Sequence, residues 1–257
     1  MGSNDEHSPT IVVEDVHVTY RVHATGKVLD RNARKFGAGG VRSADARNVR
    51  ALRGVSLIAH RRETIGVIGR NGAGKSTLLR AMTGLLPVTQ GRVWAGERPT
   101  LLGINAALLP ELSGEKNVKL GLMALGFSAA EAESRADEVA AFAEVERFIT
   151  HPMRTYSSGM SARLRFAIAA AKSHAILLID EALSVGDKDF RSKSTARIRE
   201  LAADAGTVMI VSHSMRSILE LSTRVIWIEH GLVRMDGDPE QVVEAYKQSS
   251  KQHRGED

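Results

Sequence analysis

Residues 69–77 read GRNGAGKST, a spacing of glycines, lysine and hydroxyl groups that suits phosphate binding. Gly69, Gly74, Lys75 and Ser76 occupy the fixed positions of the pattern G-x-x-x-x-G-K-[ST]. Glycines let successive backbone N–H groups turn toward an anion, and a helix N-terminus behind them adds partial positive charge. Lys75 can reach the β- and γ-phosphates of a nucleotide, and the Ser76 hydroxyl can bind Mg²⁺. A chance glycine-rich turn is the alternative, but the apolar run before the loop and the helical run after it favour phosphate binding.

An acidic pair, Asp180 and Glu181, ends the apolar run of residues 175–179. A buried strand has little structural use for two carboxylates at its end. Beside a phosphate loop, we expect Asp180 to hold Mg²⁺ through water and Glu181 to orient or deprotonate the attacking water. The structural alternative is that the pair caps the next helix.

Three further places carry weaker signals. Tyr20 ends a strand-like run, where its ring either stacks on a nucleotide base or is an ordinary strand-end tyrosine. Ser157, Ser158 and Gly159 precede a predicted helix, which is typical of a second anion site. His213 follows the apolar run 206–212, at the kind of strand end where open α/β sheets bind ligands, although a lone histidine is more often structural.

The composition is that of a soluble globular protein, with 43% hydrophobic and 25% charged residues in 257. The absence of cysteine excludes disulfides, thiolate metal sites and cysteine nucleophiles. No apolar run approaches the roughly 18–20 residues that a membrane-spanning helix needs. The polar N-terminal segment does not resemble a signal peptide.

Positive charge is concentrated in one segment of the chain. The whole chain has a formal charge of +5, and residues 23–50 alone hold seven cations against two anions. The basicity therefore belongs to this segment and not to the rest of the fold. Because the segment is long, glycine-bearing and weakly periodic, we expect an inserted loop with a short helix near residues 30–36. It is either functional or a solvated surface loop.

The remaining pattern predicts strands and helices around a single nucleotide-binding domain. An alternating run through Val12, Val16 and Val18 predicts a half-exposed strand over residues 11–21. A capping box at Ser128 predicts the start of a helix that continues to residue 149. Further strands are expected at 50–59, 64–68, 91–95, 175–179, 206–212, 225–229 and 232–235, the last two joined by a turn at His230 and Gly231. Further helices are expected at 78–82, 111–125, 161–172, 189–203 and 239–248.

The order of these motifs resembles that of the ATPase subunit of ABC transporters, over about residues 11–248. The resemblance rests on Tyr20, the phosphate loop, a helical insertion, YSSGM at 156–160, LLIDE at 177–181 and His213. It implies an α/β fold: a P-loop NTPase (RecA-like) core of mixed β-sheet with helices, an ABC-specific helical subdomain and an N-terminal antiparallel β region. The expected division of a single ABC ATPase domain, 1–257, is a core at 10–105 and 175–248, a helical subdomain at 106–174 and the basic loop insertion at 23–50.

The resemblance also assigns roles to residues, with ATP and Mg²⁺ as cofactors. Catalysis is assigned to Lys75, Glu181 and His213. Ser157 and Gly159 are expected to contact the γ-phosphate held by a second copy of the chain, which implies a head-to-tail, ATP-dependent homodimer. The expected nucleotide-binding residues are Tyr20, Gly69, Asn71, Gly72, Ala73, Gly74, Lys75, Ser76, Thr77, Ser157, Ser158 and Gly159.

The expected metal ligands are Ser76 and Asp180, with a third position left open. Most ATPases of the family have a glutamine after the strand near Thr100, where it binds Mg²⁺. This chain has no glutamine between Gln90 and Gln241. Asn105 is a chemical substitute, one methylene shorter. The alternative is that Mg²⁺ relies on Ser76 and a water-mediated Asp180.

Motif variants narrow the resemblance to one subfamily. YSSGM at 156–160, SVGD at 184–187 and PELSGEKNV at 110–118 are similar to members that export polysaccharides, O-antigens and teichoic acids on a lipid carrier. The alanine- and arginine-rich style resembles actinobacterial members, where galactan is one cargo. Because the sequence ends at residue 257, we do not expect the carbohydrate-binding domain that some members carry.

This resemblance implies partners and a location. We expect a transmembrane permease subunit contacted near residues 108–125, a lipid-linked glycan as cargo, and a peripheral position on the cytoplasmic face of the cell (inner) membrane. The basic loop is expected to face anionic lipid or the diphosphate of the cargo.

Two alternatives belong to other classes. One is an ABC ATPase that drives export of a lipid or a drug. The other is a non-transport ABC ATPase that acts on nucleic acid, which is opposed by a single nucleotide domain, the lack of heptads and an aromatic content of 4%. No nucleic acid is therefore expected.

Overall fold

A computed structural model describes residues 8–23, 46–102, 108–180, 188–212 and 214–252. Its strands form two sheets. The smaller one pairs β1 (Pro9–His23) antiparallel with β2 (Ala46–His60) on one side and β4 (Gln90–Ala95) on the other. The long β1–β2 pair includes residue 23 and residues 46–50, so the basic loop insertion predicted at 23–50 is shorter than expected. Residues 24–45 lie outside the described part of the chain.

A bulge changes which side of β1 faces the core. Ile11 and Val13 point inward at the start of the strand, and Val16 and Val18 point inward after it. The pairing register shifts between Val13 and Val16, where Asp15 has φ 45°. An extra residue in a strand moves the following side chains to the opposite face. A simple alternation cannot therefore place Val12 and Val16 on the same face.

The larger sheet has six strands in the order β5-β6-β7-β3-β8-β9. All neighbours are parallel except β8 and β9, which form an antiparallel hairpin. The strands are β3 (Glu63–Ile68), β5 (Thr100–Leu102), β6 (Ile176–Ile179), β7 (Thr207–Val211), β8 (Arg224–Glu229) and β9 (Leu232–Gly237). Since β3, β6 and β7 are parallel, the segments that follow them emerge at one edge.

Seven α-helices are described: α1 (Lys75–Met82), α2 (Gly114–Ala124), α3 (Ala129–Ala143), α4 (Ser158–Ala169), α5 (Lys188–Asp204), α6 (Met215–Leu221) and α7 (Pro239–Gln252). The predicted capping box at Ser128 is confirmed. The helix after it ends earlier than predicted, because Glu144 adopts a left-handed conformation with φ 59°. The short α6 was not predicted.

Two apolar clusters place the candidate site residues on different parts of the molecule. The main core fills the space between the two sheets and includes Val16, Leu52, Leu78 and Met209. A separate cluster holds α2, α3 and α4 together through side chains such as Leu122 and Leu164. In the described ranges, no helix is long and apolar enough to span a membrane.

Candidate functional site

The phosphate loop connects β3 to α1 at the shared edge of the large sheet. Gly69 and Gly74 have positive φ values of 148° and 110°. A methyl group on Gly74 would lie 2.6 Å from the Ala51 carbonyl oxygen, so the close approach of β2 requires glycine. No side chain caps α1 at Gly74. The N–H groups of the first helical turn lack intrahelical acceptors, which leaves them suited to an anion.

Lys75 lies inside the loop and is only 6% exposed. Its ammonium donates to the carbonyl oxygens of Gly69 at 2.7 Å and Arg70 at 3.1 Å. Burial lowers the pKa of Lys75, and the nearby Asp180 carboxylate partly opposes this shift. The lysine therefore holds the loop backbone together and presents a partly desolvated cation, which a phosphate would stabilise.

Asp180 follows β6 and is 7% exposed. It makes no hydrogen bond to another residue in the described ranges. Its negative charge favours the charged form of Lys75 and so acts to raise the pKa of that lysine. A buried carboxylate without a hydrogen-bond donor is costly unless a cation is near. Together with the Ser76 hydroxyl in the first turn of α1, this oxygen-donor set suits Mg²⁺.

Tyr20 lies beside the same loop. It packs against the main core, and its hydroxyl is 3.4 Å from Oγ1 of Thr77 in the first turn of α1. Asn71 and Gly72 at the loop tip are exposed, whereas Ala73 is buried. The structure thus brings Tyr20, the loop, Ser76, Thr77 and Asp180 to one place.

Ser157, Ser158 and Gly159 lie at the start of α4, where the next residue, Met160, packs against the cluster of α2, α3 and α4. α4 begins at Ser158, three residues earlier than predicted, because the Ser157 hydroxyl caps it by accepting from the Met160 N–H at 3.1 Å. Ser157 and Ser158 are exposed. No hydrogen bond joins this segment to the phosphate loop among the residues that the structure describes.

Three of the predicted site residues, Asn105, Glu181 and His213, lie outside the described residues.

Asn117 organises the segment before α2 and was not singled out from the sequence. It is 2% exposed, and its amide exchanges hydrogen bonds with the Leu109 backbone at 2.7 and 3.0 Å. The same amide donates to the carbonyls of Leu112 and Ser113. The available signal was a polar residue adjacent to Val118 on the buried face of α2. This amide explains how PELSGEKNV folds into a loop and a helix start.

The sequence profile of the family described as ABC transporter matches residues 52–184, which include the phosphate loop and both carboxylates. The chain belongs to this family. The match leaves Tyr20 and His213 outside its range.

Relatives of this ABC protein are named for export systems. The O-antigen export system ATP-binding protein RfbB of Myxococcus xanthus is 36% identical over 248 residues, which cover 95% of this chain and 57% of the relative. The teichoic acids export ATP-binding protein TagH of Lactococcus lactis subsp. lactis (strain IL1403) is 39% identical over 208 residues, covering 81% of this chain and 45% of the relative. The chain spans about half the length of these curated relatives.

Solved structures share the fold. A structure described as an ATP binding subunit of an ABC transporter aligns with a TM-score of 0.68 at 22% identity, covering 93% of each chain. The ATP-binding cassette MJ0796, described as a dimer bound to ADP and Pi after hydrolysis, aligns with a TM-score of 0.67 at 24% identity, covering 89% of this chain and 98% of that one. The predicted fold class is confirmed.

Proposed function

We propose that this chain is the ATP-hydrolysing subunit of an ABC transporter that exports a lipid-linked polysaccharide of the O-antigen, teichoic acid or galactan type. The observation that carries the ATPase part is the buried Lys75 inside its loop, with Asp180 beside it. The cargo class is supported by the names of the relatives and by the motif variants at 110–118, 156–160 and 184–187.

In this proposal the chain's own residues position ATP. The loop N–H groups and Lys75 bind the phosphates, and Tyr20 stacks on the base. Ser76 and Asp180 would hold Mg²⁺, which supplies positive charge to the phosphates when bound. Glu181 orients the attacking water, and His213 contacts the γ-phosphate. Catalysis is then mainly positioning and charge stabilisation. Asn105 is retained as the substitute for the missing glutamine ligand.

The proposed ATP site is completed by a second copy of the chain. Ser157, Ser158 and Gly159 start α4 with two exposed hydroxyl groups, and the N–H groups of Ser158 and Gly159 make no hydrogen bond to another described residue. A head-to-tail dimer would place this segment of one copy against the ATP held by the other. The dimeric description of MJ0796 supports this arrangement by analogy of fold.

The proposal divides the chain into two parts, which an apolar cluster joins through Phe166 of α4 and Leu177 of β6. We assign residues 10–105 and 175–248 to the nucleotide-binding core and 106–174 to a helical subdomain, within one ABC ATPase domain spanning 1–257. The helical subdomain would contact a transmembrane permease subunit, which places the protein peripherally on the cytoplasmic face of the cell membrane. The basic segment 23–50, whose ends belong to β1 and β2, would face anionic lipid or the cargo diphosphate.

The ATPase proposal is tested by Glu181→Gln. We expect this variant to bind ATP with near-normal affinity and to hydrolyse it about 10²- to 10⁴-fold more slowly, because it lacks the group that orients water. Lys75→Ala should instead lose ATP binding itself. The exposed Glu97→Gln is a matched control that should hydrolyse ATP normally. Near-normal hydrolysis by Glu181→Gln, measured with the membrane partner present, would show that the assignment is wrong.

A further inference from the structure

The β8–β9 turn lies directly behind the phosphate loop. The Gly231 N–H donates to the Ala73 carbonyl at 2.9 Å, and the Gly231 carbonyl accepts from the Arg53 N–H at 2.8 Å. One glycine therefore links the loop to β2 through backbone hydrogen bonds alone. Neither bond is part of the hairpin that joins β8 to β9. A turn needed only to reverse the chain would not require them.

Three backbone segments approach one another closely at this point. A methyl group on Gly231 would lie 2.6 Å from the Ala51 carbonyl oxygen, and a methyl group on Gly74 would lie at the same distance from the same atom. Real Cβ atoms essentially never approach another heavy atom so closely. The Ala51 carbonyl thus packs against the loop on one side and against the turn on the other. A larger residue at 231 would have to move one of the three segments.

The hydrogen bond from Gly231 fixes the orientation of the Ala73–Gly74 peptide. The described peptide bonds include no cis bond. In a trans peptide the C=O and the N–H point in opposite directions. Because the Ala73 carbonyl accepts the hydrogen bond from Gly231 and therefore points toward it, the Gly74 N–H points away from the turn. Gly74 makes no backbone hydrogen bond through this N–H among the described residues, so it remains available to an anion.

We propose that Gly231 is a positioning residue for nucleotide binding, which holds the Ala73–Gly74 peptide of the phosphate loop in its anion-binding orientation. The proposal rests on the proposed ATP site and adds a residue from the far end of the chain. The alternative is that Gly231 has only a local role in the β8–β9 turn. His230 and Gly231 have φ values of 50° and 78°, the pair of positive values that a two-residue type I′ hairpin needs. Glycine at 231 would then serve the turn only.

Nucleotide affinity separates these roles. Gly231→Ala should weaken the binding of Mg-ADP about tenfold or more in calorimetry, which corresponds to the loss of one well-placed hydrogen bond. Gly126→Ala is the matched control, because Gly126 also has a positive φ, of 90°, and a methyl there would meet only the end of the Lys172 side chain. We expect this control to lower the melting temperature while it changes Mg-ADP affinity less than about twofold.

A second variant keeps the test decisive if Gly231→Ala does not fold. Asparagine tolerates the positive φ of a type I′ turn but carries the same Cβ, so Gly231→Asn preserves the hairpin and retains the collision with Ala51. It should also weaken Mg-ADP binding about tenfold. Affinities of both glycine variants within about twofold of the Gly126→Ala control would overturn the proposal. If the unaltered protein failed to bind Mg-ADP, the proposed ATP site itself would be refuted, which is a distinct outcome.

A third measurement needs no variant. Amide hydrogen exchange at Gly231 reports how often its bond to Ala73 opens. Saturating Mg-ADP should slow this exchange about tenfold, because the nucleotide stabilises the loop conformation that accepts the bond. Exchange at Gly231 that is unchanged by Mg-ADP, in a protein shown to bind it, would contradict the proposed link.

Discussion

Lys75 and Asp180 show how single residues prepare a site for phosphate chemistry. The lysine is almost fully buried, and its partners are two loop carbonyls instead of a carboxylate in direct contact. Because burial lowers its pKa, the charged form carries a desolvation cost in the folded protein. A bound phosphate would relieve that cost. The loop is therefore poised to gain stability when it binds a nucleotide.

Tyr20 provides a residue-scale prediction. Its ring packs beside the first turn of α1, and its hydroxyl is close to Thr77. If the ring stacks on the base, Tyr20→Ala should weaken Mg-ADP binding about 5- to 100-fold, the usual range for base–aromatic stacking. Tyr20→Phe keeps the ring and loses only the long contact to Thr77, so its affinity should remain near normal. If the alanine variant and the unaltered protein bound Mg-ADP with equal affinity, Tyr20 would be an ordinary strand-end tyrosine that does not stack on the base.

The phosphate loop is recognisable from sequence alone because its pattern is local. The positions of Gly69, Gly74 and Lys75 follow from consecutive residues with fixed spacing. The contribution of Gly231 could not be predicted, because its contact with Ala73 joins segments about 160 residues apart and leaves no trace in local pattern. The role of Asn117 could not be predicted for a different reason. In a sequence, one buried amide cannot be distinguished from any other polar residue within an apolar helix face.

At the scale of elements, the capping box and the buried strands were predicted correctly, whereas the irregular backbone was not predicted. The capping box at Ser128 and the buried runs of β3, β6 and β7 are present as predicted. The bulge at Asp15 moves the side chains that follow Val13 to the opposite face of β1. The alternation of apolar and polar residues does not indicate such a bulge. The start of α4 depends on which serine caps the helix. Ser157 is the cap, and the helix therefore begins at Ser158.

Asn117 carries the prediction at this scale. Replacement with alanine would leave the Leu109 backbone and the carbonyls of Leu112 and Ser113 without their buried partner. We expect Asn117→Ala to destabilise the protein by about 2–4 kcal/mol. Thermal unfolding should show a fall in melting temperature of about 4–16 °C.

Asn48→Ala is the matched control, since Asn48 is exposed on β2 and should change the melting temperature little. A melting temperature for Asn117→Ala equal to that of this control would mean that the amide does not hold the segment together.

At the scale of the whole molecule, α2 exposes a surface that suits a partner. Leu120 and Met123 are 46% and 47% exposed, and their spacing of three residues places them on one face of the helix. Leu109, just before the helix, is exposed as well. This surface lies within the residues 108–125 that the sequence assigned to the permease contact.

A photo-crosslinking side chain at Leu120 tests that contact in cells. We expect covalent products with a polytopic membrane protein. The same group at Leu219, which is 38% exposed on α6, is the control and should not give this product. Products from position 120 that contain only proteins without membrane spans would count against the permease contact.

In the proposed dimer, the phosphate loop of one copy and residues 157–159 of the other form one ATP site.

Mixing two inactive variants tests this claim most directly. Lys75→Ala removes the phosphate loop's cation, and Gly159→Asp places a negative charge at the start of α4. Gly159→Ala is the steric control, because a methyl there would lie 3.8 Å from its nearest neighbour, the Ser157 hydroxyl. In a head-to-tail dimer, a mixed pair has one site with both defects and one site with none.

An equal mixture of the two inactive proteins should therefore recover ATP hydrolysis to about a quarter of the unaltered rate, since about half of the dimers are mixed and each has one intact site. If each chain built a complete site by itself, every site in the mixture would carry one defect. Hydrolysis that stays at the level of the separate variants would contradict the shared site.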